Sequence, residues 1–204
     1  PPNHLAPWIK ERARADVLAS VDDLGRRLAA RPGLREMLPS GRANVAVAVA
    51  FADSLKDVAG FSGGFITTVR GKVDVVGYPE FGASVRAASL LLSARRIRPE
   101  LHCAMALGGG GAVLGALKSL DMEMAWMDWE GRPDYVTGED GLFEEWGGLA
   151  ALKAHATPDK VRALGDPGGM GREPAVYVLA SDMAELIMVL RAIADELTEN
   201  PADV

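Results

Sequence analysis

The segment from Asp166 to Pro174 is the part of the sequence best suited to chemistry, because it combines glycines with an arginine and carboxylates. Its glycines are Gly168, Gly169 and Gly171. They permit backbone conformations in which successive amides form a nest for an anion. Arg172 offers a planar fork of donors that matches a phosphate, and Asp166 and Glu173 could hold a metal ion or a cationic ring. We interpret the segment as a binding loop for a phosphorylated small molecule; the alternative is a solvated surface loop with one weak arginine–glutamate ion pair.

A second candidate is Phe81–Ser84, a glycine-containing turn in front of a predicted helix. Gly82 lets a ligand approach the backbone closely, and Ser84 stands where it would cap the helix that follows. The unpaired amides at the start of such a helix attract anions. The alternative is a plain turn with an N-cap and no ligand.

A third loop, Gly108–Gly111, also precedes a predicted helix and superficially resembles a phosphate cradle. It lacks the lysine and the serine or threonine of a P-loop, so we favour a flexible connection.

The three histidines have no cysteine or histidine partner at metal-ligand spacing, which argues against a histidine metal site. We interpret the single Cys103 as a buried thiol rather than a nucleophile, which fits a reducing compartment.

Charge and hydropathy exclude several classes of protein. The chain has 204 residues and a formal net charge of -6, so it lacks the basic excess with which nucleic-acid-binding domains contact phosphates. No apolar run approaches the roughly 20 residues of a membrane-spanning helix, and no secretion signal opens the chain, so we expect a cytoplasmic protein without a membrane partner. Because the sequence starts at Pro1 without an initiator methionine, we expect either processing or a segment of a longer protein.

Hydrophobic periodicity predicts a mixture of helices and strands. The predicted helices are Trp8–Ala30, one that follows Ser84 and ends at Arg96, a short one ending near Lys118, Leu142–Ala154, and one from Ser181 to Leu197. The predicted strands are Asn44–Phe51, the hairpin arms Phe65–Arg70 and Lys72–Val76, Leu101–Leu107, Met122–Met127, Lys160–Leu164 and Ala175–Ala180. Ser84 and Ser181 are the predicted N-caps. A hairpin among alternating elements predicts helices on both faces of a mixed sheet.

Four motifs occur in a recognisable order: Asp57–Gly60, Phe81–Ser84, Trp146-Gly147 and Asp166–Pro174. Together they resemble the ThiN family of archaeal-type thiamine-phosphate synthase domains, over about Val17 to Ile193. The resemblance implies a three-layer α/β/α fold with a mixed, largely antiparallel sheet, similar to the class II aldolase (AraD-like) fold, and a homodimer. It also implies a linker and N-terminal helix at residues 1–30, a ThiN-type domain at 31–204, and fusion to an upstream pyrimidine kinase or DNA-binding domain.

The resemblance implies a coupling reaction in which hydroxymethylpyrimidine diphosphate joins thiazole phosphate and pyrophosphate is released. Positive charge must stabilise the departing pyrophosphate. The sequence differs from the family pattern at three places. Val85-Arg86 replaces a serine and a histidine, Ala106–Gly108 replaces a motif with an asparagine and a basic residue, and Gly64 replaces an arginine. Arg86 supplies one positive charge in place of the missing basic residues, but an arginine does not exchange protons near neutral pH as a histidine does.

Our leading hypothesis is therefore a domain that binds a phosphorylated thiamine-pathway compound, with catalysis weakened or lost. The expected ligand-binding residues are Gly82, Ala83, Ser84, Arg86, Asp166, Gly168, Gly171, Arg172 and Glu173. The candidates for catalysis are Arg86 and Arg172, and we expect no resident metal, with Mg²⁺ needed only in the catalytic case. One alternative is a working thiamine-phosphate synthase. Another is a non-binding dimerisation domain of a longer protein.

Overall fold

A seven-stranded sheet lies at the centre of the computed structural model, which describes residues 6–139, 141–169 and 171–199. The strands of the chain are β1 (Val45–Ala48), β2 (Val58–Phe61), β3 (Gly64–Thr67), β4 (Val73–Val76), β5 (Pro79–Phe81), β6 (Cys103–Gly108), β7 (Met124–Trp126), β8 (Ala163–Asp166) and β9 (Ala175–Ala180). The sheet has the order β5-β2-β1-β6-β9-β8-β7, and its neighbours pair antiparallel apart from the parallel pair β7 and β8. The predicted mixed, largely antiparallel sheet is confirmed.

Helices cover both faces of this sheet. They are α1 (Pro7–Ala29), α2 (Leu34–Met37), α3 (Val85–Arg95), α4 (Gly111–Ser119), α5 (Leu142–Ala154) and α6 (Met183–Glu199). Alternate strand residues face opposite layers, so Val45 and Val47 pack with α1, α2, α4 and α6, whereas Ala46 and Ala48 pack with α3 and α5. The predicted three-layer α/β/α architecture is therefore confirmed. Among the described residues, every helix is too short or too polar to span a membrane.

The strands that sequence analysis missed are short and lack a clear pattern. β2 is buried along its whole length, so it shows no alternation of polar and apolar residues. β5 lies at the edge of the sheet and begins with Pro79, a residue more typical of turns. The hairpin of β3 and β4 was predicted and is present, but it forms a two-stranded sheet of its own.

Two predicted helix caps need correction. Ser84 occupies the N-cap position of α3, but within the described structure its side chain makes no capping hydrogen bond. At α6 the cap is Asp182, whose Oδ1 accepts a hydrogen bond from the Glu185 amide at 2.8 Å. Ser181 instead donates from its hydroxyl to the Glu185 carboxylate at 2.7 Å. Sequence position alone does not tell which of two adjacent polar residues caps a helix.

The second half of α1 belongs to the core that the sheet shares with its helices. Val21, Leu24 and Leu28 are at most 2% exposed. A Cβ added at Gly25 would lie 2.5 Å from Cζ of Phe61, so α1 and β2 are in close contact there. The division into residues 1–30 and 31–204 stays a prediction, and residues 1–5 lie outside the described residues.

Replacing Leu24 with alanine should destabilise the whole domain if α1 is part of its core. We expect the free energy of unfolding to fall by about 2–5 kcal/mol, the usual loss for a fully buried leucine. Urea denaturation followed by circular dichroism would measure it. Ile9→Ala, at an exposed position of the same helix, should stay within about 0.5 kcal/mol of the unaltered chain. Equal, small losses for both variants would contradict a core role for α1.

Candidate functional site

Both predicted binding loops lie at one end of the sheet, beside a cleft of about 360 Å³. The cleft is formed where β1 begins, β6 ends and β9 begins, next to the N-terminus of α3. Its polar lining includes Arg42, Asn44, Ser84, Arg86, Glu173 and Tyr177. Small-molecule clefts in proteins commonly span about 300–1,000 Å³, so this volume suits a small ligand.

The first turn of α3 forms one wall of the cleft and presents unpaired backbone amides. The first backbone hydrogen bond of this helix runs from the Ala88 amide to the Ser84 carbonyl at 2.8 Å, so the amides of residues 85–87 have no acceptor within the helix. The helix dipole places partial positive charge at this end. Arg86, with 61% of its side chain exposed, adds a full charge. This wall can therefore bind an anion.

Arg172 lies behind the cleft, with only 8% of its side chain exposed. Its Nε donates to Asp166 Oδ2 at 2.6 Å, and its Nη2 donates to Glu144 Oε1 at 2.8 Å. The guanidinium carbon also lies 4.7 Å from the centre of the Phe143 ring. Burial by itself would lower the pKa of Arg172, but the hydrogen bond to Asp166 and the charge of Glu144 outweigh it, so the pKa is raised. The guanidinium is therefore directed at protein carboxylates instead of an open phosphate site.

Glu144 completes this buried network, and sequence analysis did not single it out. It lies in the first turn of α5 and is fully buried. Its Oε1 accepts a hydrogen bond from the Tyr177 hydroxyl at 3.1 Å and lies 3.7 Å from Nε of Arg86. Burial, and then the charge of Glu144, raise the pKa of Tyr177 well above its usual value. Because Tyr177 and Arg86 both line the cleft, Glu144 connects the cleft wall to Arg172.

The spacing of small residues after Glu144 is a sequence signal that could have identified it. Gly147, Gly148 and Ala151 follow it by three, four and seven residues, so all four share one buried face of α5. A carboxylate on such a face needs a partner that offsets its buried charge. The signal does not reveal that partner, because Arg172 lies 28 positions further along the chain.

The loop between β8 and β9 folds on itself, which differs from the open anion nest expected from its glycines. The Gly168 amide donates to Asp166 Oδ1 at 2.9 Å, and Gly169 and Arg172 exchange two backbone hydrogen bonds of 3.0 Å. The φ angle of Gly168 is 76°, and a Cβ there would lie 2.7 Å from the Arg172 carbonyl oxygen, so this turn requires glycine. These amides are therefore used within the loop. Met170 lies outside the described residues.

The predicted ligand-binding residues divide into two groups. Those that line the cleft are Ala83, Ser84, Arg86 and Glu173. Those outside its lining are Gly82, Asp166, Gly168, Gly171 and Arg172. Glu173 Oε1 accepts hydrogen bonds from the amide and the hydroxyl of Ser40, both at 2.8 Å. This contact ties the loop between β8 and β9 to the segment that precedes β1.

The described residues do not fit a resident metal ion. Within them, no group of three or more histidine, cysteine, aspartate or glutamate side chains lies close enough to hold one. The carboxylates that were candidates, Asp166 and Glu173, are engaged with Arg172 and Ser40. Mg²⁺ commonly binds proteins through one or two carboxylates together with the phosphates of a substrate.

Two further sequence candidates lie outside the cleft lining. A Cβ at Gly109 would lie 2.7 Å from the carbonyl carbon of Pro174, so this glycine permits close packing between the end of β6 and the start of β9. Cys103 is 1% exposed, and burial raises the pKa of its thiol to about 12. A thiol in this state is not a nucleophile at neutral pH.

A larger cleft of about 490 Å³ lies beside the C-terminal half of α3, but its cations are already engaged. Arg95 donates to the carbonyl oxygens of Leu101 and Ala50 at 2.5 and 3.0 Å. Arg96 pairs with Glu145 at 2.7 Å. We therefore place the candidate site at the smaller cleft, where the free amides of α3 lie.

Replacing Arg172 with methionine should destabilise the fold, because Glu144 and Asp166 would stay buried without a cation. We expect the free energy of unfolding at pH 7 to fall by about 3–5 kcal/mol, the usual cost of removing one partner of a buried ion pair. Urea denaturation would measure this loss. The neutralised variant R172M/E144Q/D166N should recover most of the stability, since it leaves no uncompensated charge.

The control for this prediction uses the carboxylate next to Glu144. Glu145 pairs with Arg96 while 44% and 59% of their side chains are exposed. Arg96→Met should therefore cost only about 0–1 kcal/mol. A loss for Arg172→Met no larger than that for Arg96→Met would contradict the buried network.

Comparisons with known proteins agree with the motifs and the fold. Residues 20–192 match the family model described as thiamine-phosphate synthase ThiN. The bifunctional thiamine biosynthesis protein ThiDN of Methanocaldococcus jannaschii is 31% identical over 158 residues. This alignment covers 77% of the present chain and 36% of the relative, so the chain spans about a third of that protein.

Two solved structures share the fold. The C-terminal domain of protein MJ0236 aligns with a TM-score of 0.75 and 26% identity, over 90% of this chain and 94% of that domain. The C-terminal domain of a phosphomethylpyrimidine kinase aligns with a TM-score of 0.78 and 20% identity, over 88% of this chain and 99% of that domain. Because residues 20–192, most of the chain, match the family model, the chain belongs to the thiamine-phosphate synthase ThiN family.

Proposed function

We propose that this ThiN domain binds a phosphorylated compound of the thiamine pathway, with catalysis of the coupling reaction weakened or lost. The observation that carries the proposal is the first turn of α3, whose free amides and Arg86 lie along the cleft. Phosphate is the group that such a wall favours, because helix amides and a guanidinium both donate to its oxygens. Family membership supplies the class of compound.

Catalysis is weakened because the cleft wall offers no proton-exchanging imidazole. Among the described residues that line the cleft, none is a histidine. His102 lies just before β6, at the end of that strand away from the cleft, and burial and the charge of Arg95 lower its pKa. Loss of one group that stabilises a transition state typically costs about 10²–10³ in rate.

Gly64 also supports weakened catalysis, because the family resemblance implies an arginine at this position. Its φ angle is 78°, and a Cβ would lie 2.4 Å from the carbonyl oxygen of Ala43. The backbone in this conformation does not accept a side chain at position 64. A cation that replaces the implied arginine must therefore come from another position of the chain.

We assign Arg172 a positioning role. Its guanidinium is bonded to Asp166 and Glu144, and Glu144 in turn contacts Tyr177 and Arg86 of the cleft wall. In this proposal Arg86 contacts the ligand directly, whereas Arg172 holds the groups behind it. Ala83, Ser84 and Glu173 shape the cleft around the phosphate.

Binding can be measured by calorimetry with thiamine phosphate, thiamine diphosphate, hydroxymethylpyrimidine diphosphate and thiazole phosphate. We expect at least one of them to bind, and Arg86→Ala to weaken that binding about tenfold to a hundredfold, as for loss of a hydrogen bond to a charged group. Arg96 follows the last residue of α3, at the end of the helix away from the cleft. Arg96→Ala also removes one positive charge and should leave the affinity nearly unchanged. If none of the compounds binds the unaltered chain, the proposal is wrong.

A working thiamine-phosphate synthase is the second candidate, and the 31% identity to a bifunctional thiamine biosynthesis protein favours it. Incubating both precursors with the chain and Mg²⁺, and assaying for thiamine phosphate, separates the two. We expect no product above the background without protein. Steady product formation that Arg86→Ala abolishes would replace the binding proposal with the enzymatic one.

The homodimer, the cytoplasmic location and the fused upstream domain stay predictions. The third alternative, a dimerisation domain without a ligand, would be favoured by a stable dimer in analytical ultracentrifugation together with no binding of any compound. The binding measurement therefore decides between the first and third alternatives.

A further inference from the structure

Arg42 is a second cation of the cleft, and no sequence motif identifies it. It lies between α2 and β1, is exposed, and lines the cleft together with Arg86. Among the described residues it has no ion-pair partner, in contrast to Arg172. We propose that Arg42 is a ligand-binding residue that contacts the phosphate of the ligand from the segment before β1. This inference rests on the proposed function and adds a residue to its site.

The backbone around Arg42 is held on both sides. Two residues before it, Ser40 donates from its amide and hydroxyl to Glu173 Oε1, both at 2.8 Å. Directly after it, Ala43 exchanges backbone hydrogen bonds of 3.1 and 2.8 Å with Phe65. The side chain of Arg42 therefore starts from a fixed point at the cleft, which reduces the entropy that binding would cost.

The stem of Arg42 passes over Gly64. Its Cγ and Cδ lie 3.0 and 3.2 Å from the position that a Cβ of Gly64 would occupy. The alkyl chain thus fills the space that the glycine leaves, and Arg42 belongs to the lining of the cleft. The lack of a side chain at position 64 is what leaves room for Arg42.

The charges of the cleft leave Arg42 free to bind a ligand. The nearby carboxylate of Glu173 is engaged by Ser40, and the buried carboxylates Asp166 and Glu144 are engaged by Arg172. Arg42 and Arg86 bring two positive charges to the cleft from different segments, although Nε of Arg86 also lies 3.7 Å from Glu144 Oε1. Two guanidiniums together with helix amides suit an anion that carries two or more negative charges, such as a phosphate ester or a diphosphate.

The test uses the full chain, calorimetry and inorganic pyrophosphate as the probe, alongside any thiamine compound that binds. Arg42→Met keeps most of the alkyl stem over Gly64 and removes the charge; we expect it to bind the probe about tenfold to a hundredfold more weakly. Arg42→Lys keeps the positive charge but lacks the planar guanidinium, so its affinity for the probe should lie between those of Arg42→Met and the unaltered chain. Arg70→Met, which removes an exposed charge near the turn between β3 and β4, should bind within about twofold of the unaltered chain.

The outcomes separate this inference from the proposed function. Unchanged affinity of Arg42→Met, with binding that still depends on Arg86, would overturn the role of Arg42 and leave the binding site in place. Failure of the unaltered chain to bind pyrophosphate or any thiamine compound would overturn both. Equal unfolding midpoints of Arg42→Met and the unaltered chain would show that a weaker affinity comes from the lost charge and not from lost structure.

Discussion

The guanidinium of Arg172 lies between two buried carboxylates, and the wall of the cleft depends on this arrangement. An uncompensated carboxylate in a protein interior costs several kcal/mol, so Asp166 and Glu144 keep their places only with a cation between them. Asp166 ends β8, and Glu144 begins α5. One side chain therefore fixes the loop between β8 and β9 against the helix that packs on the sheet.

From α5 the constraint extends to the cleft through α3. A Cβ at Gly148 of α5 would lie 3.1 Å from Oγ of Ser93, so the two helices approach closely. Tyr177 and Arg86 contact Glu144 from the cleft side. The buried ion network and the cleft wall are thus parts of one structure, in which Arg172 is buried and Arg86 and Arg42 line the cleft where we propose that they contact a ligand.

Several features were predicted well because they depend on residues close together in the chain. The bounds of α5 and β9 match their predictions. The hairpin of β3 and β4 was marked by β-branched residues around Gly71. In contrast, β2 has no alternation to detect, and the small residues that follow Glu144 mark a buried face of α5 without revealing its partner Arg172.

The layers of the fold, the two glycine-containing loops and the family could be predicted from the sequence, because periodicity, turn residues and ordered motifs are local properties of the chain. Contacts between distant segments determine instead which charged groups form buried ion pairs and which line the cleft. Arg172 pairs with Glu144 across 28 positions, whereas Arg42 and Arg86 reach one cleft from segments that are separate in sequence. These contacts follow from the order of strands in the sheet. The loop from Asp166 to Pro174 therefore contributes Glu173 and Pro174 to the cleft lining and keeps Arg172 outside it, whereas the arginines of the lining, Arg86 and Arg42, lie on α3 and before β1.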